Sequence, residues 1–188
     1  MYTLDIFKEA LQKLDGLLEL NPKVSPIEIK AIGGFAMLFY GMRHSMKTQD
    51  IDSVTPDWDE DQIKLIERVA VVMDLEADWL NNYNVMDNDV EAVEIMLEPF
   101  WDKIDWGLKR VQLYVGDTET LLRSKLLATE DSEQTGRQQD LPDLISILSN
   151  LKILTRERFV ATVEDMGMDA ETEFPYALEV LENSNAFQ

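Results

Sequence analysis

The chain has 188 residues, 45% of them hydrophobic, which is enough to bury a core in one domain or in one domain with a helical extension. Its 37 acidic and 17 basic residues give a formal net charge of −20, which opposes extensive wrapping of nucleic acid and leaves only local basic clusters to contact an RNA end. The sequence has no cysteine, which excludes disulfides and thiolate zinc sites and fits a cytoplasmic location.

The first twenty residues form an amphipathic pattern, with apolar residues at helical spacing from Leu4 to Leu18, and predict a helix that ends at Asn21-Pro22. A secretory leader needs an unbroken apolar stretch, whereas charged residues interrupt this one. No later apolar run approaches the length of a membrane span, so we expect no membrane contact. The next predicted elements are a strand at 27–32, a helix at 35–40, a strand at 48–54 and a helix at 59–73.

The second part of the chain contains two further predicted strands, at 90–97 and 109–115, joined by a connection at 99–107. Helices are then predicted at 118–128, 141–151, 155–166 and 172–181. Residues 129–139 include no apolar side chain and predict a mobile loop of the kind that covers a site. We therefore expect an α+β fold in which residues 1–116 form a mixed β-sheet flanked by helices and residues 117–188 form a helical region packed on it.

Asp50 and Asp52 lie two residues apart on the second predicted strand, so their carboxylates share one face, roughly 6 to 7 Å apart along the strand. Such oxygen ligands suit Mg²⁺ or Mn²⁺, which would also hold the phosphates of an NTP. Gly33 and Gly34 precede the short helix, and because they lack Cβ atoms their amides can approach a phosphate closely. The sequence therefore predicts a metal-dependent phosphoryl-transfer site.

Chance alone produces about seven acid-x-acid triplets in so acidic a chain, and Asp57-Trp58-Asp59 is one of them. The first pair differs from the others in its context, which is a strand, the glycine pair, a short helix, a basic and polar turn and then a second strand. That turn contains Arg43, Lys47 and Thr48. The order of these parts favours a functional role for the pair.

This order resembles the nucleotidyltransferase-like superfamily, the fold of DNA polymerase beta and of minimal bacterial nucleotidyltransferases, in which Gly-Gly or Gly-Ser, a helix and Asp-x-Asp follow one another. The segments IGGFAMLFYGMR and KTQDID are similar to an uncharacterised bacterial branch near the abortive-infection type nucleotidyltransferase toxins. Two later stretches also resemble this branch. They are residues 77–82 and residues 125–143, the latter with the order K-x-x-A, R-x-x-D-x-x-D. The resemblance covers roughly residues 27–150.

The resemblance implies an enzyme that uses Mg²⁺ or Mn²⁺ to transfer a nucleotidyl group from an NTP to a hydroxyl of RNA, of a protein or of a small molecule, as a component of a toxin–antitoxin system. It assigns catalysis and metal binding to Asp50 and Asp52, and nucleotide binding to Gly33, Gly34, Thr48 and Lys125.

Active members of the superfamily usually carry a third carboxylate on a following strand. The predicted strand at 109–115 offers no acid on either face, and Asp78, Asp105 or Asp117 would have to take its place. The alternative is a catalytically incomplete copy of the fold, a binding or regulatory module whose acidic surface engages a basic protein partner. The excess of acids also has a simpler explanation, which is solvation of the surface.

Several residues have both a functional and a structural interpretation. Lys125 is expected to neutralise phosphate charge. Asp140 and Asp143 either fix Lys125 or Arg137 by pairing, or serve as the cap and a solvated first-turn acid of the following helix. His44, the single histidine, is close to the proposed acids in the sequence and is a candidate base near neutral pH, although a surface turn residue is the commoner interpretation. Trp79 is the best candidate for stacking on a base, although tryptophans of small domains usually lie in the core.

Overall fold

The structure is a computed structural model that describes residues 1–43, 45–55, 58–82, 101–135, 140–184 and 186–187. The chain divides into two compact units, Met1–Asp117 and Thr118–Gln188. In the described part of the first unit the elements are α1 (Leu4–Leu20), β1 (Ile27–Ile32), α2 (Gly33–Phe39), β2 (Ile51–Ser53), α3 (Glu60–Met73), β3 (Leu80–Asn81), β4 (Trp101–Ile104) and β5 (Val111–Gly116). In the second unit they are α4 (Thr118–Thr135), α5 (Asp140–Asn150), α6 (Arg156–Asp165) and α7 (Pro175–Asn183).

The five strands form one mixed sheet in the order β3-β2-β1-β5-β4. Strand β1 runs antiparallel to β2 and parallel to β5, while β2 is parallel to β3 and β4 is antiparallel to β5. Central strands β1 and β5 bury alternate residues, as the predicted period of two requires. The predicted α+β class with a mixed sheet and flanking helices is confirmed.

Helix α1 buries the predicted apolar face, including Phe7, Leu11, Leu14 and Leu18. Asp15 lies on the same face, and its Oδ1 accepts the backbone N–H groups of three consecutive residues at the start of β5, at N–O distances of 2.6 to 2.9 Å. The three donors are Lys109, Arg110 and Val111. The buried carboxylate therefore ties α1 to the central strand β5.

Helix α3 begins within one residue of its predicted start, at the acidic residues that follow Trp58. Asp59 is the N-cap residue, and its side chain accepts the backbone N–H groups of Asp61 and Gln62, while Gln62 Oε1 accepts the N–H of Asp59. This reciprocal arrangement is a capping box, which satisfies helix donors that have no partner inside the helix. The helix ends at Asp74, whose φ of +54° stops the regular turn.

Three predictions in the first unit need correction. Helix α2 begins at Gly33 rather than at residue 35, so both glycines belong to its first turn. Strand β2 has three residues, so Asp50 precedes the strand instead of lying within it. Residues 101–104, predicted as part of a connection, form β4, whose residues are all at least partly exposed and show no apolar alternation to reveal a strand. The predicted strand at 90–97 lies outside the described residues.

The predicted loop at 129–139 is wrong for residues 129–135, which continue α4, and residues 136–139 lie outside the described ranges. Thr129 and Ser132 are buried although they are polar, because small hydroxyl residues fit a helix interface, and Ser132 Oγ donates to the Thr129 carbonyl at 2.6 Å. Glu130 accepts the backbone N–H groups of Tyr176 and Ala177 at the start of α7. This part of the segment therefore serves helix packing and is not a lid.

The other helices of the second unit follow their predicted ranges closely. Gly167 adopts a φ of +80° just beyond α6, and its N–H donates to the Glu164 carbonyl at 2.8 Å, so the predicted glycine stop is confirmed. Across the described ranges of both units, none of the helices combines the length and the apolar character that crossing a bilayer requires.

Candidate nucleotide and metal site

The antiparallel pairing of β1 with β2 brings the two halves of the sequence motif together. Asp52 lies opposite Ile32, the last residue of β1, and Gly33 follows immediately. A Cβ atom built on Gly33 would lie 3.0 Å from Oδ2 of Asp52, so the carboxylate approaches this glycine closely. Gly33 also has a φ of +62°, which other residues adopt only with strain. Both its conformation and its lack of a side chain are needed beside Asp52.

Asp50 lies in a strongly negative environment. Burial, followed by the charges of Asp52 and Asp78, raises the pKa of Asp50 to about 6, while the guanidinium of Arg43 acts in the opposite direction. A carboxyl with this pKa is partly protonated at mildly acidic pH because its charged form is poorly solvated and repelled by its neighbours. The charges of two other carboxylates and one guanidinium therefore act on Asp50 at this end of β2.

Gly34 is the close neighbour of two polar side chains. A Cβ atom at Gly34 would collide with Nη1 of Arg43 and with Oγ1 of Thr48. Thr48 is buried and held by Tyr2, since the two residues exchange both backbone N–H bonds, at 2.6 and 3.0 Å. The second glycine of the predicted phosphate seat is therefore covered by the Arg43 guanidinium and the Thr48 hydroxyl.

The guanidinium of Arg43 includes a buried hydrogen-bond donor for which the described part of the chain offers no acceptor. Its Nη1 atom is buried and has no hydrogen-bond partner among the described residues. A buried donor without an acceptor costs about 1–3 kcal/mol, so such groups are rare in folded proteins. The sequence placed Arg43 in the turn before the acids but gave no sign that its side chain packs on Gly34.

The strand beside the acidic pair is β3, and it carries Asn81 in register with Asp52. Asn81 Nδ2 donates to Asp52 Oδ1 at 3.3 Å and to the Asp78 carbonyl at the same distance. The predicted strand at 109–115, on which a third carboxylate would lie, corresponds to β5 and is separated from β2 by β1. A two-residue strand is too short for a recognisable period, which is why the sequence did not reveal β3.

The three acids proposed to replace a third carboxylate differ in position. The charge of Asp78 acts on Asp50, and Asp78 precedes β3 by two residues. Asp105 instead accepts the backbone N–H of Gly107, and Asp117 follows β5 at the end of the first unit. Asp78 is therefore the acid that the fold brings toward the pair.

The possible ligands at this site carry oxygen atoms of the kind that a hard divalent ion prefers, but only two of them are charged. Asp50 and Asp52 offer carboxylate oxygens, and Asn81 offers an amide oxygen if its side chain turns over. No group of three or more acidic or histidine side chains in the described ranges is arranged to hold an ion. A Mg²⁺ ion at this site would be held by two carboxylates and would keep several waters, as this ion commonly does.

Lys125 belongs to the second unit, where its Nζ lies 2.7 Å from Asp140 Oδ1 and 3.0 Å from Asp143 Oδ2. All three side chains are largely buried, so the alternative of Asp143 as a solvated acid is wrong and the pairing alternative is confirmed. A role for Lys125 at the nucleotide stays a prediction, and a phosphate would have to compete with two carboxylates for its ammonium group.

Two further candidates receive different outcomes. Trp79 is fully buried, and its Nε1 donates to the Ile66 carbonyl at 3.2 Å, so the candidate role in base stacking is wrong and the core role is confirmed. His44 lies outside the described residues.

Comparison with known proteins adds no relative, since no family model matches the chain and no curated protein or solved structure matches it significantly. The resemblance to the nucleotidyltransferase-like superfamily therefore stays a prediction that depends on the residues themselves. They include the glycine pair at the start of α2, Asp50 just before β2 and Asp52 within it.

Proposed function

We propose that the chain is a Mg²⁺- or Mn²⁺-dependent nucleotidyltransferase that moves a nucleotidyl group from an NTP to a hydroxyl of RNA, a protein or a small molecule. The observation that supports this most is the close approach of the Asp52 carboxylate to Gly33. Two parts of the motif that are 19 positions apart by number meet at one point, next to Asp50. A metal ligand beside a backbone without a side chain is the arrangement that a metal–phosphate complex needs.

The charged and the neutral residues of the site have different roles in binding the ion and the phosphates. Asp50 and Asp52 supply the negative charge that holds a divalent ion, and their mutual repulsion is relieved when a cation binds. A bound Mg²⁺ would supply positive charge to the phosphates and to the departing pyrophosphate. The glycine pair lets the Asp52 carboxylate, the Arg43 guanidinium and the Thr48 hydroxyl lie directly against the backbone, and the buried Thr48 hydroxyl can donate to a phosphate oxygen.

Calorimetry with each of the four NTPs and Mg²⁺ or Mn²⁺ tests binding, and transfer of label from an α-labelled NTP to an acceptor in a cell extract tests activity. The double variant Asp50→Asn, Asp52→Asn should lose both. A matched control removes two exposed acids from the second unit, Glu133→Gln and Asp165→Asn, and should retain both. Equal NTP binding by wild type and the site variant would refute the proposed site.

A second candidate function is a binding or regulatory module that engages a basic protein partner. The observation that favours it is Asn81, a neutral amide that stands in register with Asp52 on the neighbouring strand and so adds no third charge to the acidic pair. The net charge of −20 would attract such a partner over a long range. A wild-type protein that binds no NTP with either ion and transfers no label would favour this module over the enzyme.

A further inference from the structure

We propose that Arg43 is the phosphate-binding residue of the site, and that a polyphosphate is held in the niche over Gly34 by the Arg43 guanidinium and the Thr48 hydroxyl, without a need for the divalent ion. This inference rests on the proposed function in that it names the group that holds the NTP phosphates. It goes beyond that function because it assigns phosphate binding to a side chain rather than to the two carboxylates and their ion.

The first support is the unsatisfied donor. A guanidinium has five N–H donors in a rigid plane, and Nη1 of Arg43 is buried with no acceptor among the described residues. The N–H groups of arginine match the oxygens of a phosphate in geometry and charge, and such bonds are among the strongest in proteins. A phosphate oxygen that enters beside Gly34 would satisfy a group that the rest of the described chain leaves without a partner.

The second support is the shape of the niche. Nη1 of Arg43 and Oγ1 of Thr48 both lie so close to Gly34 that a Cβ atom at residue 34 would collide with them, so the two donors meet over the backbone only because this residue is glycine. Thr48 is held in place by its paired backbone bonds with Tyr2. The niche therefore presents a positive donor and a neutral hydroxyl from the same turn of the chain.

The third support is the charge pattern around the niche. The charges of Asp52 and Asp78 both act on Asp50, so an NTP with its own negative charge would be repelled from this end of β2 unless a cation intervened. Arg43 is the cationic side chain whose charge acts on Asp50 against that of the acids. It gives the phosphates a permanent positive partner that does not depend on the concentration of free metal.

The test uses inorganic pyrophosphate and tripolyphosphate in EDTA, with calorimetry and thermal melting as readouts. Wild type should bind both anions and melt at a higher temperature in their presence. Arg43→Gln should bind them about 10- to 100-fold more weakly, and Arg43→Lys should fall between the two because it keeps the charge but loses the planar fork. The control Arg68→Gln removes the same charge from an exposed position of α3 and should bind like wild type.

Two further variants separate this inference from the proposed function. The double variant Asp50→Asn, Asp52→Asn should bind pyrophosphate in EDTA as tightly as wild type or more tightly, because repulsion is reduced, although it loses Mg²⁺-NTP. Gly34→Ala should lose pyrophosphate binding, because the added methyl group collides with the Arg43 guanidinium and the Thr48 hydroxyl and displaces both. If Arg43→Gln unfolds, the folded Arg43→Lys and Gly34→Ala proteins still decide the question.

The inference is overturned if wild type fails to bind pyrophosphate or tripolyphosphate in EDTA, or if folded Arg43→Lys and Gly34→Ala both bind like wild type. Pyrophosphate binding that depends on Arg43, together with Mg²⁺-NTP binding that ignores Asp50 and Asp52, would support this inference and refute the proposed function. Mg²⁺-NTP binding that depends on the two acids but not on Arg43 would do the reverse.

Discussion

Asn81 and Asp52 lie opposite each other on neighbouring parallel strands, and the amide of Asn81 donates to the carboxylate of Asp52 at 3.3 Å. The amide supplies a dipole to the acidic pair but no charge. Whether this position carries an amide or an acid therefore sets the charge available to an ion at this end of the sheet.

Replacing Asn81 with Asp should raise the affinity for Mg²⁺ or Mn²⁺ by about tenfold, because affinity for hard cations grows with the number of charged ligands. The same change should lower the stability of the metal-free protein by about 1 kcal/mol, since a third acid is added beside two others. Calorimetric titration with each ion and urea unfolding in EDTA measure the two effects.

Asn81→Ala is the control for this change, because it removes the bond to Asp52 without adding charge. It should not raise metal affinity. Unchanged metal affinity in Asn81→Asp would mean that residue 81 does not face the ion.

The stability of the protein should depend on the ionisation of Asp50. Its folded-state pKa of about 6 exceeds the ordinary value of 3.8, so between pH 4 and 6 the folded state binds more protons than the unfolded state. Stability contributed by the protonated form is therefore complete below about pH 4 and is lost as pH rises through 6. Because Asp50 is only half-buried, solvent screening reduces the effect to about 1–2 kcal/mol.

Urea unfolding of wild type and Asp50→Asn in EDTA, at intervals between pH 4 and 8, measures this effect. The variant lacks the titrating group, so it should gain stability relative to wild type as pH rises from 4 to 7. Asp105→Asn serves as a control acid outside the pair. A stability difference between wild type and Asp50→Asn that does not change with pH would contradict the prediction.

Asp15→Ala should destabilise the first unit by about 2–4 kcal/mol, because the Oδ1 atom that it removes accepts three backbone N–H groups at the start of β5. Thermal and urea unfolding measure the loss. Asp5→Ala on the exposed side of the same helix should cost less than about 1 kcal/mol. Similar losses for the two variants would show that the three bonds add nothing to stability.

Lys125→Met should destabilise the protein by about 3 kcal/mol or more, because it removes the ammonium group that lies between the buried carboxylates of Asp140 and Asp143. Arg156→Ala is the matched comparison. It breaks two ion pairs as well, with Glu171 and Glu182, but these side chains are exposed and the stability should change little. Urea unfolding of the two variants decides whether burial makes the difference.

Elements with a strong apolar period were predictable from the sequence, and those that depend on tertiary contacts were not. Helix α1 and strand β1 match their predicted ranges within three residues, since each buries a regular set of apolar side chains. Strands β3 and β4 were missed because one has two residues and the other lies at a sheet edge without apolar alternation. The end of α4 was missed because its small polar residues are buried against other helices.

The candidate site was predictable to the same extent. The acids and the glycine pair follow a local pattern, and the sheet pairing brings Asp52 to Gly33. Asn81 and Arg43 were not identified as site residues, because their positions depend on which strands become neighbours and on how a turn folds back over α2. Such contacts leave no periodic signal in the sequence.

During synthesis, β1 leaves the ribosomal exit tunnel long before β5, the strand that it pairs with at the centre of the sheet. Ile29 of β1 pairs with Leu113 of β5, and the bond from Lys109 to Asp15 spans 94 positions. Until that stretch has left the exit tunnel, β1 has one edge without its strand partner and α1 has a buried acid without its three donors. Most of the first unit must therefore be synthesised before its sheet can close. We expect it to fold more slowly than the helical second unit, where the bonds from Glu130 to the start of α7 span only 46 and 47 positions.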